Sequence, residues 1–237
     1  MVRNSDRSAE SRKRMVEEQI AARGVGDPRV LAAMREVPRE LFLRAGQEEL
    51  AYRDSPQPIE SDQTISQPYI VAFMAEGLRL AGSEKVLEIG TGSGYAAAVL
   101  GELAEEVYSV ERHANLAEEA GRRLAQLGYD NVHVKHGDGT RGWPEFAPYD
   151  AIVVAAFGPA VPASLLGQLR IGGRLVIPVG PTAGSQQLLR VTRVADREFT
   201  EEALLEVVFV PLIGEEGFKE SARPEDGGSR GPFDRER

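Results

Sequence analysis

The sequence predicts an α/β fold: an open, doubly wound, mostly parallel sheet with helices on both faces and a helical extension at the N-terminus. Three observations carry this. Five short runs rich in β-branched residues, at 86–89, 107–110, 132–134, 151–154 and 174–177, are each too short for a helix. Helical stretches such as 96–105 and 116–127 lie between them. Strands alternating with helices make βαβ units and a parallel sheet covered on both faces. A glycine loop follows the first run directly and opens a helix.

The elements follow in chain order. Met15, Val16, Ile20 and Ala21 carry a helical period that Gly24 stops. Asp27-Pro28 reads as an N-cap with proline at the first helical position, opening 29–35. The stretch 54–67 is polar and punctuated by Pro56 and Pro58, so it is expected to be an ordered loop. Ser66-Gln67-Pro68 then opens a helix, with Ser66 as N-cap and Ile70, Phe73, Met74 and Leu78 as its apolar face. Two late runs, 188–194 and 204–212, have no helix between them and are expected to pair antiparallel at one edge. Residues 215–237 are charged and nearly free of aliphatics, the composition of a mobile tail. The chain thus divides into 1–80, a core at 81–214, and a tail at 215–237.

Composition narrows the function. The chain has 237 residues, a formal net charge of −9 and no cysteine, which excludes disulfides, thiolate metal sites and a cysteine nucleophile. The acidic balance disfavours nucleic acid, and the Arg12-Lys13-Arg14 run reads as a solvated helix face. No run reaches the ~18 apolar residues of a spanning helix, and residues 1–10 lack a signal-peptide core. A cytoplasmic monomer without metal is expected.

The strongest chemical signal is Glu88-Ile89-Gly90-Thr91-Gly92-Ser93-Gly94. Gly92, Gly94 and Ala97 satisfy the looser dinucleotide pattern. Glu88, Gly90, Gly92 and Gly94 fill E-x-G-x-G-x-G, the loop of S-adenosyl-L-methionine-dependent methyltransferases. Glu88 favours the second reading: an acid at the strand end suits a ligand with a charged amine and opposes a pyrophosphate. Glu111 ends the second strand, where an acid accepts from both ribose hydroxyls in either reading. Asp138 ends the third and could accept from the adenine amine, with Gly139 leaving room for the ring, although Asp-Gly alone also reads as a turn.

The acceptor is suggested by what is missing. The stretch 155–159 lacks the Asn/Asp-Pro-Pro-Tyr of amine methyltransferases, and His113, His133 and His136 are not convincing bases. A carboxylate, with a pKa near ~4, is already ionised at neutral pH and needs none.

Several segments then resemble the protein-L-isoaspartate O-methyltransferase family. They are 51–56, Gln63-Thr64-Ile65-Ser66-Gln67-Pro68 through Ala72, 86–95, 107–112, Gly137-Asp138-Gly139 to Pro144, 150–153 and 172–180. The resemblance spans 12–212 without interruption, and the Thr64–Pro68 stretch is its most specific part. It implies a Rossmann-like class I methyltransferase using S-adenosyl-L-methionine and releasing S-adenosyl-L-homocysteine. The substrate it implies is the α-carboxyl of isoaspartyl residues in damaged proteins and peptides, whose ester closes to a succinimide. It makes 1–80 a helical and substrate-loop region and 81–214 the cofactor-binding core. It also implies Ser66 as the active-site serine, with Thr64, Ile65, Glu88, Gly90, Thr91, Gly92, Ser93, Gly94, Glu111, Asp138, Gly139 and Gln186 at the cofactor. Two departures stand out. Glu60-Ser61-Asp62 replaces a Gly-x-Gly-like stretch, and Ala155-Ala156-Phe157-Gly158 replaces Thr-Ala-Ala-Ala; both are expected near the substrate path. A small-molecule carboxyl methyltransferase and a cofactor-binding protein that lost its chemistry remain as alternatives.

Overall fold

The N-terminal region packs as helices around one apolar cluster, in a computed structural model that describes residues 2–220. Helix α1 (Val2–Arg14) runs into a π-helical turn (Met15–Ile20) and a 3-10 turn (Ala21–Arg23), closed by Gly24 at φ +99°. A regular helix was the expectation; in the widened turn Met15, Val16 and Ile20 are all buried in the core. Helix α2 (Pro28–Glu36) starts as its sequence dictates, the Asp27 carboxylate accepting from the Arg29 N–H at 2.8 Å.

The stretch expected to be loop contains a hairpin, β1 (Gln57–Pro58) against β2 (Thr64–Ile65). Two-residue strands carry too little periodicity to be seen in sequence. The hairpin's tip puts Ser61 and Asp62 both in the left-handed region, at φ 59° and 54°. Helix α3 (Pro68–Leu78) is capped by Gln67, one residue later than expected, which leaves Ser66 just outside it. Its buried face is Val71, Ala72, Met74, Ala75 and Leu78, with Ile70 and Phe73 only half-buried. Small residues win that face because the helix lies close on the sheet: a Cβ on Gly77 would stand 3.3 Å from Val176 Cγ2.

The sheet comprises β3 (Lys85–Ile89), β4 (Glu106–Glu111), β5 (Val132–His136), β6 (Tyr149–Val154), β7 (Leu169–Thr182), β8 (Ser185–Ala195) and β9 (Glu198–Val207). Between the strands run α4 (Tyr95–Gly101, shorter than expected), α5 (Ala114–Gln126) and α6 (Ala163–Gln168). Among the described residues the strand order is β5-β4-β3-β6-β7-β8-β9, parallel through β7 and antiparallel from β7 to β9. The chain turns outward in both directions from the β3/β6 pair. That switch point, at the strands' carboxyl ends, is where open α/β sheets bind ligands.

The last run differs from expectation. Strand β9 ends at Val207, and 208–213 leaves it and returns to the β6 end, where Phe157 N–H donates to Val210 O at 2.8 Å and Leu212 N–H to Phe157 O at 2.7 Å. Residues 215–220, assigned to the tail, are packed instead. Glu215 N–H donates to Asp138 Oδ2 at 2.8 Å, Ser164 N–H to Glu216 at 2.9 Å, and the Phe218 ring meets Phe157 edge-on at 5.0 Å. Composition hid this, because one aromatic and two acids with dedicated partners suffice to anchor a polar segment. The rest of the expected tail, 221–237, lies outside the described residues.

Candidate active site

A cavity opens at the carboxyl ends of β3, β4 and β6, walled on one side by the β2–α3 segment and on another by 210–213. Nine of the residues expected at the site line it together: Thr64, Ile65, Ser66, Gly90, Thr91, Gly92, Ser93, Glu111 and Gly139. Gly90 reaches its place through φ +95°, a backbone state that disfavours any side chain. Gly139 is required by space, since a Cβ there would lie 2.4 Å from Ile89 Cγ2.

The acids behave differently from one another. Glu111 is 4% exposed and held by amides, its Oε2 accepting from Gly92 N–H and its Oε1 from His113 N–H, each at 2.9 Å. Both oxygens keep a lone pair for hydroxyl donors. Glu88 does not line the main cavity. It is fully buried behind it, in a small apolar pocket that shares Ser66, Val71, Ala96 and Ala155 with the main one. Ser109, its cross-strand partner, donates to Glu88 and also hydrogen-bonds Thr91, while Glu88 Oε1 has no partner among the described residues. Burial pushes the Glu88 carboxyl up to about 8; the Ser109 bond opposes the rise and the Glu111 charge adds to it.

Three more expected residues stand apart from the cavity lining. Gly94 caps α4 at φ +91° and carries the turn rather than the wall. Asp138 spends its carboxylate on the Thr140 N–H (2.9 Å), the Thr140 hydroxyl (2.7 Å) and the Glu215 N–H, so it fastens 214–216 beside the site. Gln186 is 2% exposed; its side chain donates to Thr182 O at 2.8 Å and accepts from Phe209 N–H at 2.7 Å. It lines a second, larger cavity next to the first, which shares Thr64, Ser66, Ala155 and Val210 with it.

The two departures also change meaning. Glu60 pairs with Arg44 at 3.2 Å, and neither it nor Asp62 lines either cavity. Phe157 is wholly buried against Phe218 rather than on a substrate path. Sequence reading missed Arg39, Tyr95 and 210–213. Tyr95 follows the glycine loop directly and was within reach. Nothing in one sequence marks an arginine as buried. None of the three histidines lines the cavity.

These features fit adenosylmethionine: an unpaired buried carboxyl oxygen near the glycine loop, and a second acid, Glu111, on the cavity wall with lone pairs left for hydroxyl donors. The comparisons with known proteins agree. Residues 10–217 match the family model for protein-L-isoaspartate (D-aspartate) O-methyltransferase. The chain is 63% identical over 206 residues to the protein-L-isoaspartate O-methyltransferase of Rhodopseudomonas palustris, covering 87% of this chain and 94% of that one. With protein-L-isoaspartate O-methyltransferase 2 of Pelobacter propionicus the identity is 60% over 207 residues, covering 87% and 92%. Among solved structures it superposes on a protein-L-isoaspartate O-methyltransferase with a TM-score of 0.78 at 32% identity, over 87% of this chain and 67% of that one. A Plasmodium falciparum chain solved with S-adenosyl-L-homocysteine shares the fold, with a TM-score of 0.74 at 24% identity over 85% and 98% of the two chains. With the family model matched over 10–217 and relatives 60% and 63% identical over most of both chains, this chain belongs to the protein-L-isoaspartate (D-aspartate) O-methyltransferase family.

Proposed function

We propose that this chain methylates the α-carboxyl of isoaspartyl residues in proteins and peptides, with Ser66 and the amides that follow it holding the acceptor carboxylate. The observation that carries this reading is Ser66 itself, which borders both large cavities at the start of α3. The first intrahelical bond there is Val71 N–H to Gln67 O at 3.2 Å, so the Tyr69 and Ile70 amides precede it and favour an anion. S-adenosyl-L-methionine, when bound, supplies an electrophilic methyl group and leaves as S-adenosyl-L-homocysteine. In this reading Thr64, Ile65, Gly90, Thr91, Gly92, Ser93 and Gly139 form its walls, Glu111 takes its ribose hydroxyls, and Glu88, behind the wall, serves its charged end once it gives up the proton that burial holds on it. Gly94, Asp138 and Gln186 act from behind, holding the turn, 214–216 and Phe209.

No proton needs removing from a carboxylate at neutral pH, so the residues' task is orientation and exclusion of water. The domain roles follow: 1–80 supplies the acceptor side, 81–214 the cofactor side. The chain acts as a cytoplasmic monomer without nucleic acid or membrane, in keeping with its charge of −9; among the described residues no helix is long and apolar enough to cross a membrane. The test is methyl transfer from labelled adenosylmethionine to two peptides differing only in isoaspartyl versus aspartyl linkage. Base-labile label, released as methanol, is expected on the isoaspartyl peptide alone. Ser66→Ala should cut turnover while leaving adenosylhomocysteine affinity nearly intact; equal losses would sink the role given to Ser66.

A further inference from the structure

Arg39 is 0% exposed, an unusual place for a guanidinium. It makes its hydrogen bonds to carbonyls rather than to carboxylates: Nε to Ala51 O at 2.7 Å and Nη2 to Ser66 O at 2.8 Å. Nη1 has no partner among the described residues, and the guanidinium carbon lies 4.6 Å from the centre of the Tyr95 ring, which itself lines the cofactor cavity. Burying a cation without a counter-ion is costly, and an apolar side chain of similar size would avoid that cost. The charge sits one hydrogen bond behind the residue to which the acceptor carboxylate is assigned.

We infer that Arg39 is a positioning residue for methyl transfer, clamping the Ser66 carbonyl and lending its unpaired charge to the acceptor carboxylate; this rests on the role given to Ser66 above. In a planar trans peptide the C=O and N–H point opposite ways, so holding the Ser66 carbonyl turns the Gln67 N–H away from Arg39. The clamp and the charge act on different quantities. The clamp fixes geometry and acts on kcat. The acceptor's negative charge is lost as its oxygen takes the methyl group. A fixed positive charge therefore favours the bound carboxylate over the transition state, and acts on KM.

Two variants separate them, with kcat and KM measured on an isoaspartyl peptide, affinity for S-adenosyl-L-homocysteine by calorimetry, and Tm as a control. Arg39→Lys keeps the charge but loses the two-carbonyl fork. It should lower kcat about ten-fold with KM within about two-fold. Arg39→Met loses both: KM should rise about ten-fold and kcat should fall by less than in Arg39→Lys, because the bound carboxylate is no longer favoured over the transition state, with adenosylhomocysteine affinity within about two-fold. If Arg39→Met does not fold, the Lys variant alone carries the test. Wild-type kcat and KM in the folded variants would overturn the proposal, as would equal losses of acceptor activity and adenosylhomocysteine affinity. An unaffected Ser66→Ala overturns the Ser66 reading and this proposal with it. An impaired Ser66→Ala beside wild-type-like Arg39 variants overturns this proposal alone.

Discussion

The buried Glu88 makes the stability of the free protein depend on pH in a way one substitution can expose. Its carboxyl is held near about 8 against an ordinary 4.5, chiefly because burial penalises the charged form. The folded state therefore keeps a proton that the unfolded chain has already lost between those two values. That contribution is fully present below pH 4.5 and is lost as pH rises through 8. Between the two, wild-type stability should fall by about 1.4 kcal/mol per pH unit relative to a variant that cannot titrate. The total is about 5 kcal/mol, a large share of the stability of an ordinary domain. Glu88→Gln is that variant, since it keeps the shape and removes the ionisation. Urea unfolding of both proteins without ligand, from pH 5 to pH 9, gives the difference curve, in which titrating groups not coupled to Glu88 cancel. A descending difference, with Glu88→Gln the more stable of the two at pH 9, is expected. A flat difference would refute the reasoning, because it would mean that Glu88 is equally charged in the folded and unfolded states.

Three other outcomes are expected. Asp62→Gly should raise stability by about 0.5–1 kcal/mol in urea, because the left-handed strain relieved at φ 54° exceeds the entropy glycine adds to the unfolded chain. Phe157→Ala should cost about 3–5 kcal/mol, as a fully buried ring is removed; the ratio of rates on two isoaspartyl peptides of different sequence should stay unchanged, and a shifted ratio would return Phe157 to the substrate path. Truncation after Gly214 should be about 2–4 kcal/mol less stable than truncation after Glu220, through loss of the Glu215, Glu216 and Phe218 contacts; equal urea midpoints would show those contacts to be idle.

What the sequence determined by itself is whatever depends on local pattern. The β-branched runs and the helices between them specify a parallel sheet, because each strand must bury both faces. The glycine loop, Glu111 and Gly139 could be expected at one sheet edge from order alone, and the structure has Gly90, Gly92, Glu111 and Gly139 lining one cavity there. Asp27-Pro28 carries its own helix start, and the structure agrees. Tertiary structure decided what depends on partners distant in the chain. Asp138 is tied to a segment 77 residues away, accepting from the Glu215 N–H. Phe157 finds Phe218, and Glu60 finds Arg44. Glu88 keeps its place in the loop motif, yet its high pKa comes from burial that no motif encodes. Arg39 is the clearest case. Whether an arginine faces water or two buried carbonyls is settled by the packing of segments around 39, 51 and 66, and its own neighbours in sequence say nothing of it.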